Sequence, residues 1–350
     1  MSFRACILGC QGQSLTAEER AFFRDVRPWG FILFGRNVGE LEQLRRLTDA
    51  LREAVDDEGT MVFVDQEGGR VQRLKPPLAR LRPPAARFGE LYAKDPQVGL
   101  EAAFLNHRLI AAELSAGGID ADCVPCLDLR HPETNAVIGD RAFGEDASSV
   151  AALGRAALDG MLAGGVAPVI KHMPGHGRAT ADSHFETPSV TTPLQVLEAT
   201  DFEPFRALAD APMGMTGHIL FPAVDAEASA TQSSHVIQTL IRGWIGFDGL
   251  LMTDDLSMKA LGGDHAQRTR RAIAAGCDVA LYGNGALVGE PVRDLMGEIT
   301  QVAEAAGELS GRAAERAADA RAVARATRPF DAEAAQARLD ELGLGGRQGA

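Results

Sequence analysis

Short apolar runs rich in Val, Ile and Leu recur along the chain, separated by longer stretches in which apolar residues return every third or fourth position. The runs are Ala5–Cys10, Gly30–Phe34, Met61–Val64, Ile119–Leu129, Ala167–Ile170, Met213–Gly217, Gly249–Met252 and Val279–Tyr282. Helical periodicity fills Glu40–Val55, Leu100–Ala116, Val150–Ala163, Ser233–Trp244 and Ala266–Ala275. Continuous apolar runs suit strands buried on both faces, and their alternation with helices implies parallel pairing through crossover connections. Eight runs over this length predict an α/β fold closed into a single (β/α)8 TIM barrel, residues 1–330, in preference to an open doubly wound sheet. Residues 331–350, rich in Ala, Glu and Gly, read as a C-terminal tail, a marginal helix followed by a disordered end.

Local signals punctuate this pattern. Thr16 and Glu19 form a capping box ahead of Phe22 and Phe23, which fixes one helix start. Gly117–Gly118, Gly164–Gly165 and Gly276 each fall after a periodic stretch and before a strand, where a left-handed residue ends a helix. Two segments break the rhythm. Pro76–Pro84, with prolines at 76, 77, 83 and 84, reads as an extended surface loop. The polar segment from His172 to Pro188 is too long for a common βα turn, and loops of that length are often functional.

Composition narrows the partners. With 45% apolar residues in 350 there is ample material for a large core. Lys and Arg number 35 against 48 Asp and Glu, a net charge of -13, and the acids are dispersed, which argues against nucleic acid. No apolar run approaches the ~18 residues of a membrane span, so neither a membrane nor an exported destination is expected. A cytoplasmic monomer is the corresponding expectation. Ile7–Cys10 faintly resembles a lipoprotein cleavage box but has no room for the preceding charged and apolar regions. Five cysteines, an odd number, predict reduced thiols; Cys123 and Cys126 have a redox-like spacing but sit in an extended run and read as core residues.

Parallel barrels carry their active sites at the C-terminal ends of the strands. Polar residues collect there: Asp65–Arg70 after the third run, Asp128 after the fourth, Lys171 and His172 after the fifth, His218 after the sixth, and Thr253, Asp254 and Asp255 after the seventh. Burying so many charges is costly unless they pair with one another or a polar ligand. The densest stretch is Lys171–Gly177, continuing to Asp182, Ser183 and His184. Asp182 and His184 meet if Ser183 turns, giving an imidazole oriented by a carboxylate.

That stretch resembles the signature loop of glycoside hydrolase family 3, in its bacterial β-N-acetylglucosaminidase branch. Gly249–Ser257, with Asp254 directly after Thr253, is similar to the family's nucleophile segment. Gly30–Phe34, Asp65–Arg70 with Arg73, Glu113–Leu129, Ile138–Arg141 and Ala275–Asp278 also match, so the likeness runs from about residue 5 to 285. Departures are small: Trp244, Met173 and Gly217 stand where the family usually has a polar residue, Phe and Ala.

The resemblance implies a retaining exo-β-N-acetylglucosaminidase. Asp254 would form a covalent glycosyl-enzyme, and His184, paired with Asp182, would be proton donor and then base. Asp65, Arg73, Arg141, Lys171 and His172 would hold the sugar. The implied substrate is a muropeptide, N-acetylglucosamine joined to anhydro-N-acetylmuramic acid, in peptidoglycan recycling; no cofactor and no metal are implied. A histidine acid/base carries no negative charge in either state, so phosphate could replace water as acceptor, and phosphorolysis stands beside hydrolysis.

Rival readings are a metal-dependent hydrolase using His172, His176, His184 and Asp182, a Schiff-base lyase using Lys171, and a silent sugar-binding sensor. A cation at Lys171 beside the first candidate ligand argues against the metal. His107, His131, His235 and His265 read as ordinary helix or loop residues, and Asp255 as structural. His218 leans toward a supporting role. Asp120 and Asp122 read as local turn or solvent-facing groups.

Overall fold

Eight parallel strands form the frame: β1 (Arg4–Leu8), β2 (Pro28–Leu33), β3 (Met61–Val64), β4 (Ala121–Asp122), β5 (Ala167–Met173), β6 (Met213–Thr216), β7 (Leu250–Thr253) and β8 (Ala280–Tyr282). In this computed structural model, which describes residues 2–131, 137–179, 187–284, 295–324 and 327–346, they pair in the order β8-β1-β2-β3-β4-β5-β6-β7. A parallel bridge from Met252 to Val279 brings β7 against β8, and the sheet closes as the predicted (β/α)8 barrel.

Side chains alternate across a strand, so each strand turns one set of residues inward. Ile7, Ile32, Phe63, Ala121, Val169, Met215, Met252 and Leu281, one from every strand, belong to a single buried cluster that fills the interior. Their neighbours Leu8, Leu33, Val62 and Val64 belong to a second cluster, with the helices outside. Helix Gly311–Val323 plugs the N-terminal end of the barrel with Ala317 and Ala320. Arg316 anchors that plug on Asp248 (2.6 Å) and Asp278 (3.1 Å), beside the starts of β7 and β8. The opposite end, where the strands' polar exits lie, forms the mouth.

The helix signals translate directly. Thr16 Oγ1 accepts from Glu19 N (3.1 Å) while the Glu19 carboxylate accepts from Thr16 N (2.9 Å). Gly118, Gly165 and Gly276 have φ of 76°, 72° and 119°, the left-handed geometry that ends a helix. Leu44, Leu47, Leu51 and Val55 form the buried face of helix Leu41–Val55. The periodic stretch from Ser233 winds more widely than an α-helix, as a π-helix over Val236–Trp244.

Three expectations change. The run Ile119–Leu129 forms a continuous strand only at Ala121–Asp122; Pro125, with no N–H to donate, stands in the gap before an isolated bridge from Cys126 to Lys171. β5 instead runs on to Met173, so Lys171 and His172 project from a strand. Asp120 and Asp122 are buried rather than solvent-facing. Asp120 accepts from Arg52 Nη2 (2.6 Å) and Val62 N (3.0 Å), and Asp122 accepts from Gln66 N (2.8 Å), so both tie β4 to β3.

The proline-rich loop is also less exposed than its composition suggests. Arg82 within it is buried, paired with Glu113 and donating to Gln336 Oε1 (3.0 Å). Gln336 belongs to helix Ala332–Glu341, whose Leu339 is fully buried; residues 347–350 lie outside the described residues. All five cysteines are unpaired and buried, as expected of core thiols, and burial drives the Cys123 and Cys126 thiols well above their usual range. No helix among the described residues is long and apolar enough to cross a membrane.

Candidate active site

After β3 the chain makes a short hairpin, Gln66–Gly68 against Val71–Gln72, which lifts Asp65, Glu67 and Arg73 into the mouth. The buried side chain of Gln66 holds this turn. Its Oε1 accepts from Arg73 N (2.8 Å) and Leu74 N (3.0 Å), and its Nε2 donates to Leu74 O (2.9 Å). Gly68 has φ of 92°, and a Cβ there would strike the carbonyl oxygen of Pro83.

Lys171, only 2% exposed, stands between two carboxylates: its Nζ lies 2.8 Å from Asp65 and 2.7 Å from Glu67. Arg73 reaches Asp65 (3.1 Å), and Arg141 grips Glu67 with two hydrogen bonds of 2.8 and 2.7 Å. Burial alone would raise both carboxyls. Lys171 and Arg73 nevertheless hold Asp65 well below the usual carboxylate range, and Arg141 and Lys171 hold Glu67 at about 2. Burial would likewise discharge Lys171, but the two carboxylates keep its ammonium charged far above neutral pH. The result is a fixed array of alternating charge with donors and acceptors set for a polyhydroxylated ligand.

Beside it, Asp128 collects hydrogen bonds from His172 Nδ1 (2.6 Å), His172 N (3.3 Å), His176 N (2.6 Å) and Cys126 Sγ (3.2 Å). Burial would raise this carboxyl, yet His172 keeps it ionised below the usual range. Since the carboxylate can only accept, His172 carries a proton on Nδ1. Burial and the neighbouring His172 lower His176 to about 4. The donor atoms of Cys126, Asp128 and His172 lie within 4.8 Å of one another, the one grouping of metal-ligand type among the described residues, and His176 is not part of it.

β7 delivers Asp254. Thr253 Oγ1 accepts from Leu281 N (2.9 Å), and Asp254 N donates to Thr216 O (3.2 Å), which fixes the strand end against both neighbours. Asp254 is half-buried, with Oδ1 accepting from Asp255 N (2.8 Å). Asp255 is buried and accepts from Ser257 N (2.9 Å) and Gly283 N (3.3 Å), a structural role. His218 is fully buried between Thr231 Oγ1 (2.7 Å) and Asp255 O (3.2 Å), and burial lowers its pKa. It supports the turn after β7 as a neutral ring.

These clusters share one mouth, because Asp65 follows β3, Lys171 and His172 lie at the end of β5 and Asp254 follows β7, all parallel strands of one barrel. Asp254, Asp65, Arg73, Arg141, Lys171 and His172 are therefore brought to the same end of the barrel. Asp182 and His184 lie outside the described residues. Gln66, Glu67 and Asp128 are the important additions. Glu67 was visible only as one charge in a polar run, and nothing in the sequence marked it as the partner of Lys171 and Arg141.

The glycosyl hydrolase family 3 N-terminal domain matches residues 10–324. A β-hexosaminidase of Xylella fastidiosa (strain 9a5c) is 38% identical over 305 residues, covering 86% of this chain and 90% of its own. Native NagZ from Neisseria gonorrhoeae is similar in structure, with a TM-score of 0.80 at 32% identity over 99% of both chains. That protein has also been solved with N-trifluoroacetyl-D-glucosamine. A glycoside hydrolase family 3 β-N-acetylglucosaminidase from Paenibacillus sp. str. FPU-7 gives a TM-score of 0.82 at 30% identity, over 96% of this chain and 67% of that one. The chain belongs to glycosyl hydrolase family 3. Within it, the chain is a glycoside hydrolase of the β-N-acetylhexosaminidase type, whose substrate is a carbohydrate.

Proposed function

We propose that the chain is a retaining exo-β-N-acetylglucosaminidase that removes terminal N-acetylglucosamine from muropeptides in peptidoglycan recycling, acting as a cytoplasmic monomer. The observation that carries this reading is Asp254, half-buried at the end of β7 and held by backbone bonds, at the same mouth as the array of Asp65, Lys171, Glu67, Arg73 and Arg141. In the first step a carboxylate oxygen of Asp254 attacks the anomeric carbon while His184, oriented by Asp182, protonates the departing oxygen. In the second, His184 takes a proton from water, which displaces Asp254 and restores the original anomeric configuration.

Asp65 accepts hydrogen bonds from sugar hydroxyls, Arg73, Arg141 and Lys171 hold the array in place, and His172, oriented by Asp128, contacts the sugar. Five unpaired buried cysteines suit a reducing compartment. The test is turnover of an aryl β-N-acetylglucosaminide and the matching aryl β-glucoside by wild type and Asp254→Ala. Turnover confined to the acetylated sugar and abolished by the substitution supports the reading; full activity in Asp254→Ala refutes the nucleophile.

A further inference from the structure

Both carboxylate oxygens of Glu67 face cations of the protein. Oε1 accepts from Arg141 Nη2 (2.7 Å) and lies 2.7 Å from Lys171 Nζ, while Oε2 accepts from Arg141 Nε (2.8 Å). Its side chain is 7% exposed, against 16% for Asp65 and 27% for Arg73, so Glu67 acts on a ligand through its neighbours and not by touching it. We infer that Glu67 is a positioning residue that aims Lys171 and Arg141 at the ligand and, as their counterion, keeps the barrel mouth selective for a neutral sugar over small anions. The aiming rests on the proposed sugar site; the exclusion of anions does not.

The backbone holds Glu67 where this role needs it. It stands in the middle of the hairpin strand Gln66–Gly68, between Gln66, whose Oε1 accepts from Arg73 N (2.8 Å) and Leu74 N (3.0 Å), and Gly68 with its φ of 92°. Its two parallel bonds to Arg141 fix the plane of the guanidinium as well as its position. With Nη1 also donating to Val137 O (3.2 Å), Arg141 keeps one N–H on each terminal nitrogen for a ligand, in a direction that Glu67 sets. Without Glu67, Lys171 is drawn to Asp65 alone, at 2.8 Å, and the guanidinium loses its fork.

Charge gives the second part. Lys171, Arg73 and Arg141 are three cations against the two carboxylates Asp65 and Glu67. Removing the charge of Glu67 leaves three against one, a change of one unit whatever Asp254 and the Asp128–His172 pair contribute. Lys171 and Glu67 are buried, where water and salt screen poorly, so the uncovered positive charge acts at nearly full strength on whatever enters the mouth. Guanidinium and ammonium groups freed from a carboxylate are receptors for sulfate and phosphate.

Calorimetric titration with sodium sulfate, at an ionic strength held constant with sodium chloride, tests the counterion, and steady-state turnover of an aryl β-N-acetylglucosaminide tests the aiming. Glu67→Gln is expected to bind sulfate about tenfold or more tightly than the wild type does. Its KM is expected to rise about tenfold or more while kcat falls by no more than about threefold, because contacts made equally to bound sugar and transition state govern binding alone. A purely structural Glu67 gives the opposite split, since a smaller folded fraction lowers kcat and leaves KM unchanged. Glu67→Asp keeps the charge but is one methylene too short for the two-bond grip. It is expected to raise KM while binding sulfate within about threefold of the wild type, and it carries the test alone if Glu67→Gln does not fold. Equal sulfate affinity in wild type and Glu67→Gln, or a tenfold gain in Glu67→Asp, overturns the counterion role; KM within about twofold of wild type in the folded variants overturns the aiming. A wild type that turns over no aryl glycoside contradicts the proposed function, and the sulfate titration still decides the counterion.

Discussion

Replacing Lys171 by Met takes one positive charge from between two buried carboxylates and leaves the barrel mouth otherwise filled. Glu67, with its side chain only 7% exposed, keeps its paired bonds to Arg141; Asp65, 16% exposed, keeps Arg73 at 3.1 Å. Each carboxylate then loses its bond to Lys171 and faces the other without the cation between them. Lowering Glu67 from 4.5 to about 2 corresponds to about 3 kcal/mol shared between Arg141 and Lys171. Breaking a buried ion pair from one side costs about 3–5 kcal/mol. A loss of about 3 kcal/mol in folding stability is therefore expected, measured by urea unfolding at neutral pH.

The companion variants Glu67→Gln and Lys171→Met/Glu67→Gln make a double-mutant cycle. Removing the carboxylate relieves the repulsion that the lost lysine leaves behind, so the double variant is expected to be more stable than additivity predicts by about 1–2 kcal/mol. Strict additivity, or a loss below about 0.5 kcal/mol in Lys171→Met, would refute the view that these charges form one buried array.

Other consequences are separable. His107 is buried, donates from Nδ1 to Ala103 O (2.8 Å), and burial lowers it from 6.5 to about 4. The unfolded chain takes up this proton before the folded one, so stability is complete above pH 6.5 and falls as pH drops toward 4; His107→Gln removes up to about 3 kcal/mol of that dependence in pH-resolved urea unfolding. Leu339→Ala, in the docked C-terminal helix, is expected to cost about 2–5 kcal/mol by the same assay, whereas a detached tail would cost nothing measurable. Phosphate added to the aryl glycoside assay distinguishes the two acceptors: the sugar 1-phosphate as main product establishes phosphorolysis, and free N-acetylglucosamine alone establishes hydrolysis.

Much of the barrel was legible because its code is local. Val62 and Phe63, or Leu251 and Met252, face opposite sides of the wall and are both buried, which is why the strands appear as unbroken apolar runs. Helix ends were legible for the same reason, since Gly118, Gly165 and Gly276 answer a backbone requirement set by their own neighbours. The shortened β4 was not, because Val124–Leu129 is apolar enough for a strand, and only its partners show that the ladder lapses before Pro125 and resumes where Leu127 N donates to Lys171 O.

Long-range pairing hid the rest. Asp120 and Asp122 resemble turn residues until Arg52 and Gln66 arrive from distant segments to receive them. Asp65, Lys171 and Asp254 could be marked by position at strand ends, but the Glu67–Arg141 grip and the Asp128–His172 pair depend on side chains 74 and 44 residues apart. No periodicity in the chain carries that information.

The most direct test of the central claim is mass spectrometry of enzyme quenched in acid during steady-state turnover of an aryl β-N-acetylglucosaminide. The account predicts a protein heavier by one N-acetylglucosaminyl group, with the added mass on the peptide containing Asp254 and absent from Asp254→Ala. Label on another residue, or a variant that still turns over and acquires it, would contradict Asp254 as the nucleophile.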